Sequence, residues 1–414
     1  MRLLIGGSPC THWSIAQTKN RETEASGIGW ELFLNYRIAR GKYKPDYFLY
    51  ENNKSMSPAI RTQITAELGV EPVLINSALV SAQNRQRLYW VGKREPDGTY
   101  SQVPVEQPED RGILLRDILE TGICWREKGY ALTASSHSAT AEDMFARRQR
   151  NGVAEPIDAC CVAQRGRYIG EGGKVAQHFE ARTDGKTNTL TTVEKDNLVA
   201  EPVRIGTIEN DAKTPDHDSQ QYRVYSPDGK SVTLCGNGGG LGAKTDLYAT
   251  PIGGIDGKAG PVYEVRDGFI FIAIKGKRYP IKLRDGFYII RKLTVTECKR
   301  LQTVPEEYVF PVSNSQAYKM LGNGWTVDVI AHIMSHFEGL TEEPVEVLSM
   351  YDGMSCGHIA LDKLGATVAT YYATEIDKYA IQTTQRNFPE TVQFGDAFQA
   401  RDEEWRPRRA EGVE

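Results

Sequence analysis

The 414-residue chain has no apolar run near the ~18 residues that a membrane-spanning helix needs. It opens Met1-Arg-Leu-Leu-Ile-Gly-Gly7, without the shape of a signal peptide, so a cytoplasmic location is expected. Its seven cysteines are odd in number and form no Cys-x-x-Cys pair. A disulfide framework and a structural zinc site are therefore not expected. Nor is there an excess of one charge: 50 Lys and Arg stand against 54 Asp and Glu, a net charge of −4. A nucleic-acid partner would have to meet a local basic face. Residues 1–100 carry 13 basic and 9 acidic side chains, residues 101–290 carry 25 and 26, and residues 291–414 carry 12 and 19. The 40% hydrophobic and 25% charged content excludes a disordered chain, a collagen and a coiled-coil rod.

What is present is a pattern of two kinds. Residues 1–95 alternate short apolar strands (Leu3–Ile5, Tyr47–Tyr50, Val73–Asn76, Leu88–Val91) with helical stretches at Trp30–Ala39 and Pro58–Leu68. That alternation predicts an α/β sheet with helices on both faces. Residues 96–290 are rich in Gly, Thr, Asp and Asn and predict a β-rich insertion. Three segments there resemble one another: Lys128–Ala134, Gly185–Thr192 and Gly229–Cys235. Asp267-Gly268 and Asp285-Gly286 mark hairpin turns. From 291 to 414 the alternation resumes. A capping box at Thr294 and Glu297 starts a helix, and Val327–Phe337 carries an apolar helical stripe. After an acidic linker, strands and helices between Val345 and Phe394 predict a βαβαβ unit.

Candidate chemistry gathers at strand ends. The strand Val345–Met350 runs into Tyr351-Asp-Gly-Met-Ser-Cys-Gly357, a glycine turn that lets a ligand approach the backbone. The next strand ends in Glu375-Ile-Asp377, where a ribose hydroxyl is normally gripped, and the third in Gly395-Asp396. No Gly-Lys-Ser/Thr follows the turn, so a nucleoside without a phosphate tail, such as S-adenosylmethionine, fits better than a nucleotide. Strand Leu3–Ile5 ends in Gly6-Gly-Ser-Pro-Cys10. The neighbouring strand ends in Glu51-Asn-Asn53, and Gln83-Asn-Arg-Gln-Arg87 precedes another. At strand spacing Arg85 and Arg87 point to one side.

Ser-Pro-Cys10, Glu51-Asn and Gln83-x-Arg-x-Arg87, in that order, resemble the catalytic half of the DNA (cytosine-C5) methyltransferases. Arg291-Lys-Leu-Thr-x-x-Glu-x-x-Arg-Leu-Gln302 is similar to the segment that closes that family's recognition domain. Gly322-Asn-Gly-Trp325 resembles the last family motif, and Tyr351–Gly357, Glu375 and Asp396 resemble the three cofactor motifs. The order is unusual: Pro-Cys opens the chain and the cofactor motifs close it, as in a circular permutation. Glu51-Asn52-Asn53 stands where the family often has Glu-Asn-Val, and Tyr351 where it usually has Phe.

The resemblance implies a Rossmann-like S-adenosylmethionine-dependent methyltransferase sheet with an inserted target-recognition domain at 96–290. It implies methyl transfer from S-adenosyl-L-methionine to C5 of cytosine in a specific double-stranded DNA sequence. Cys10 would be the nucleophile, Glu51 the group that binds the base, Arg87 the clamp on its O2, and Arg85 the support of the loop or a phosphate contact. The cofactor would meet Tyr351, Asp352, Gly353, Gly357, Glu375, Ile376, Asp396 and Ala397 on one side. Gly7, Pro9, Asn323 and Trp325 would meet it on the other. A loop from Thr11 to about Gly29, with Lys19 and Arg21, would close over a flipped-out base. The implied setting is a bacterial or phage-infected cell, with no metal and a monomer or dimer. A tRNA cytosine methyltransferase and a non-catalytic DNA-binding homologue remain as alternatives.

Overall fold

The computed structural model describes residues 1–14, 21–138, 144–145, 150–156, 160–169, 174–182, 198–200, 204–207, 223–225, 252–253, 259–260, 262–265, 268–274, 277–284 and 286–407. The chain divides into two compact units. One holds residues 1–120, 126–139 and 293–414; the other holds 121–125 and 140–292. Residues 96–120 and 126–139, which composition groups with the insertion, fall in the first unit because their backbone pairs there. Tyr100–Gln102 extends the main sheet, and Gly129–Tyr130 pairs with Gln83–Asn84.

The first unit is built on one mixed sheet. Its strands are β1 (Arg2–Gly6), β2 (Tyr47–Asn53), β3 (Pro72–Asn76), β4 (Gln86–Arg94), β5 (Tyr100–Gln102), β6 (Val345–Met350), β7 (Val368–Thr374) and β8 (Val392–Gly395). The spatial order is β8-β7-β6-β1-β2-β4-β3, with β5 on β4. From β8 to β2 every pairing is parallel; β4 then runs antiparallel to β2, β3 and β5. Leu3, Leu4 and Ile5 are fully buried, as an uninterrupted apolar run in the middle of a parallel sheet should be.

Helices α1 (Gly27–Tyr43), α2 (Pro58–Leu68), α3 (Val295–Leu301), α4 (Asn314–Asn323), α5 (Val327–Met334), α6 (Cys356–Leu364) and α7 (Lys378–Asn387) accompany the sheet. Their ends carry local signals. Ser57 accepts from the Ile60 amide ahead of Pro58, and Gly69 closes α2 at φ +75°. Thr294 and Glu297 form the capping box that the sequence shows. An aromatic cluster of Phe33, Tyr36, Phe48, Tyr50 and Trp90 fills the core of this unit. β2 runs three residues beyond Tyr50, so Glu51 lies inside a strand rather than after it.

In the second unit Gly286–Lys292 pairs antiparallel with both Val262–Val265 and Gly152–Pro156. Phe269–Ile274 and Lys277–Lys282 form a hairpin, preceded by Gly268 at φ +73°. Cys160–Ile169 pairs with Lys174–Arg182 and Leu198–Ala200. Of the three similar segments, Gly185–Thr192 and Gly229–Cys235 lie outside the described residues, as does Lys19.

Candidate active site

Sheet order decides what meets what. β6, β1 and β2 are adjacent and parallel, so their C-terminal ends lie side by side. β6 delivers Tyr351–Gly353, β1 delivers Gly7–Cys10, and β2 carries Glu51. Ligands of open α/β sheets bind beyond such carboxyl ends. Cys10 begins a single 3-10 turn, Cys10–His12, three residues after Gly7.

Glu51 is held from two sides. Its Oε1 lies 3.0 Å from Arg87 Nε, and its Oε2 accepts a hydrogen bond of 2.9 Å from Trp325 Nε1. Arg87 is placed for this by register: on β4 it stands opposite Asn53, next but one to Glu51. Gly7 makes room. A Cβ there would sit 2.8 Å from Glu51 Oε2 and 3.5 Å from Trp325 Nε1. The carboxylate and guanidinium keep side-chain exposures of 12% and 19%, enough to be reached by a ligand.

Arg85 plays a different part. It is 4% exposed, and its guanidinium donates to the carbonyls of Leu132, Gly322 and Gly324 at 2.8–3.4 Å. It ties the edge of β4 to the loop that carries Trp325. Ser8 and Asn52, which the sequence offers only as motif neighbours of Cys10 and Glu51, tie the Pro9-Cys10 loop to β2. Ser8 Oγ lies 2.6 Å from the Tyr50 hydroxyl, and fully buried Asn52 donates to Ser8 O and to Tyr50 Oη at 3.2 Å. Strand alternation was the available signal: Asn52 must face opposite to Glu51.

At the glycine turn Tyr351, Gly353 and Ser355 have φ of +60°, +60° and +58°. A Cβ on Gly353 would meet nothing within 4 Å, so the turn borders open space. Gly357 serves packing instead; a Cβ there would lie 2.2 Å from Ile5 Cδ1. Glu375 folds around the turn. Its Oε2 accepts from Gly353 N and its Oε1 from the amides of Ile376 and Asp377, each at 2.8 Å. Ile376 beside it is 74% exposed, unusual for so large an apolar side chain. Tyr351 donates to Leu32 O at 2.7 Å, and burial pushes its phenol well above the usual range.

Asp352 is turned inward. Its Oδ1 accepts from the Tyr371 hydroxyl at 2.8 Å and its Oδ2 from Ser355 Oγ. Burial raises its carboxyl from 3.8 to about 6 in spite of these hydroxyl donors. Asp396 caps the short turn that follows it, accepting from Phe398 N, and is exposed; Ala397 is buried. Pro9 and Asn323 are exposed on their loops.

The expected closing loop is only partly described. Arg21 donates to the carbonyls of Trp13 and Ser55, Trp13 is fully buried, and α1 already begins at Gly27. His332 and His336 contact carbonyls of Glu106 and His332, and among the described residues no His, Cys, Asp and Glu cluster could hold a metal. Among the described residues no helix is long and apolar enough to cross a membrane.

A central, mostly parallel sheet with helices between its strands fits a methyltransferase fold. A family model described as C-5 cytosine-specific DNA methylase matches residues 1–228 and 257–338, and the chain belongs to that family of enzymes. The chain is similar to the orphan methyltransferase M.Rho11sI of Bacillus phage rho11s, at 25% identity over 434 aligned positions that span 80% of this chain and 83% of that one. It is 25% identical over 390 positions to the orphan methyltransferase M.SPRI of Bacillus phage SPR, spanning 80% and 81%. A shorter similarity, 27% over 150 positions, to the type II methyltransferase M.HhaI of Haemophilus parahaemolyticus covers 36% and 33%.

Proposed function

We propose that the chain methylates C5 of cytosine within a specific sequence of double-stranded DNA, with Cys10 as nucleophile and S-adenosyl-L-methionine as donor. The observation that carries this reading is the adjacency of three strand ends: the Gly353–Glu375 cradle, the Pro9-Cys10 turn and the Glu51–Arg87 pair follow one another across β6, β1 and β2.

The residues fit the donor. Gly353 leaves an open cradle, Glu375 presents a carboxylate fixed by three amides for ribose hydroxyls, exposed Ile376 offers an apolar surface to a flat ring, and Asp396 offers a carboxylate for an exocyclic amine. Asn323 and Trp325 close the other side. S-adenosyl-L-methionine supplies an electrophilic methyl group there. A cytosine reaches the site only when flipped out of the duplex. Cytosine C5 is a poor nucleophile, so the Cys10 thiolate adds to C6 and forms an enamine whose C5 takes the methyl group. Glu51 hydrogen-bonds N3 and N4 and stabilises the charge that develops on attack, while Arg87 holds O2. Loss of the C5 proton to a base then expels the Cys10 thiolate. Arg85 supports the Trp325 loop through its carbonyl contacts.

In this reading the first unit is the methyltransferase domain and the second reads the target sequence through base-edge contacts. The motif order is circularly permuted. The test is expression in a methylation-free bacterium followed by bisulfite sequencing of host DNA, for the wild type and Cys10→Ser. Protected cytosines in one short motif, lost in the variant, are expected. Unprotected DNA with methylated tRNA would move the reading to RNA.

A further inference from the structure

We propose that Trp325 is a positioning residue for the reaction: its indole N–H sets the plane of the Glu51 carboxylate. The proposal rests on the reading of Glu51 as the group that binds the base, and it gives Trp325 a role besides that of a cofactor wall.

The terminal torsion of a glutamate is broad, so a carboxylate without partners samples many planes. Glu51 does not have that freedom. Trp325 Nε1 donates to Oε2 at 2.9 Å while Arg87 Nε forms an ion pair with Oε1 at 3.0 Å, so each oxygen has its own partner. Gly7 leaves the space in which the indole and carboxylate meet. The residues on both sides of Trp325 are themselves fixed by one side chain. Buried Gln302 donates from Nε2 to Gly324 O at 3.2 Å, just before Trp325, and accepts on Oε1 from Thr326 Oγ1 at 2.9 Å, just after it. Gln83 Nε2 bonds the same Gln302 oxygen at 2.8 Å. Polar contacts from the interior therefore hold the chain on either side of Trp325.

The experiment compares wild type, Trp325→Phe, Gly7→Ala and Glu51→Gln as whole chains. Methyl transfer from labelled S-adenosylmethionine to unmethylated plasmid DNA is followed against DNA concentration, and S-adenosylhomocysteine binding is measured by calorimetry. Trp325→Phe keeps an aromatic ring and loses the donor. It should bind S-adenosylhomocysteine within about threefold of wild type and transfer methyl about tenfold more slowly, the usual scale of a hydrogen bond to a charged group. The loss should fall on kcat, with the KM for plasmid DNA within about threefold of wild type, because a carboxylate out of plane still admits the base but meets it in the wrong geometry for reaction. A wild-type rate overturns the proposal, as does a loss of cofactor affinity that matches the loss of rate. Gly7→Ala keeps the ring and crowds the carboxylate, its Cβ 2.8 Å from Glu51 Oε2 and 2.9 Å from the Glu51 backbone oxygen, so it tests the placement of that carboxylate should the Phe variant not fold. If Glu51→Gln keeps the wild-type rate, the reading of Glu51 fails and the proposal with it. If Glu51→Gln is inactive and Trp325→Phe and Gly7→Ala are unaltered, only the role of Trp325 fails.

Discussion

Gly353 shows what a single residue can reveal before its partners are known. Its backbone is left-handed at φ +60°, with open space where a side chain would stand. Gly353→Val should lose S-adenosylhomocysteine binding by tenfold or more in calorimetry, since it strains the turn and fills the cradle. Retained binding would remove the turn from the donor site. Asp352 makes a pH-dependent prediction. Its folded-state pKa, about 6, exceeds the unfolded value of 3.8, so between those values the folded state keeps a proton that the unfolded chain has lost. Stability from this group is therefore highest below about pH 4 and falls as pH rises toward 6, by at most ~3 kcal/mol at 1.36 kcal/mol per unit. Denaturant midpoints of wild type and Asp352→Asn should diverge across that window, with the wild type losing ground. A constant difference between them would mean that the carboxyl titrates normally. Glycine, glutamate and cysteine at strand ends were legible because each needs only its own neighbours in sequence. The Trp325–Glu51 bond was not, because its partners lie 274 positions apart.

Elements were legible where local signals sufficed. The capping box at Thr294 and Glu297 and the Ser57-Pro58 start of α2 are such cases. Helix α4 carried no such signal. It opens Asn-Ser-Gln, ends Gly-Asn, and has no side-chain cap, so little in its sequence favours a helix. Tertiary contacts hold it: Tyr318 donates to Leu293 O, and Arg85 reaches the carbonyl of Gly322. Gly322 is the tightest point. A Cβ there would lie 2.2 Å from the Thr133 carbonyl carbon and 2.4 Å from the Ala134 amide, both backbone atoms that cannot swing away. Gly322→Ala should lower stability by about 3 kcal/mol, at or above the upper end for overpacking. It should also weaken methyl transfer, because α4 leads directly into Trp325. An alanine variant with the wild-type denaturation midpoint would show that residues 133–134 do not pack on this helix.

At the scale of the whole molecule the sheet and the chain disagree about order. The family match ends at residue 338, yet β6, β7 and β8, all after 344, complete the sheet beside β1. Motif order raised the expectation of a permutation, but strand adjacency was not legible, since pairing across more than 340 residues leaves no local trace. Composition likewise marked the middle as extended and Gly-rich, but only backbone pairing assigns Tyr100–Gln102 and Gly129–Tyr130 to the first unit. The adjacency has a direct consequence. Asp402 accepts from Lys42 at the end of α1, while the amide of Arg2 donates to Asp46 a few residues on, so the tail and the start of β1 meet the same turn. Chain continuity between Leu340 and Val345 then adds little that β6–β1 pairing does not already provide. A rearranged chain, residues 345–407 joined through a Gly/Ser linker of about 12 residues to residues 1–344, should fold, because such a linker spans about 20 Å. Loop-closure entropy changes slowly with length, so its stability should stay within about 2 kcal/mol of the original. It should bind S-adenosylhomocysteine with unaltered stoichiometry and affinity within about threefold, measured by calorimetry. A rearranged chain that folds but does not bind would mean that the cradle at Gly353 depends on the natural linkage, and would count against reading the motif order as a permutation of one domain.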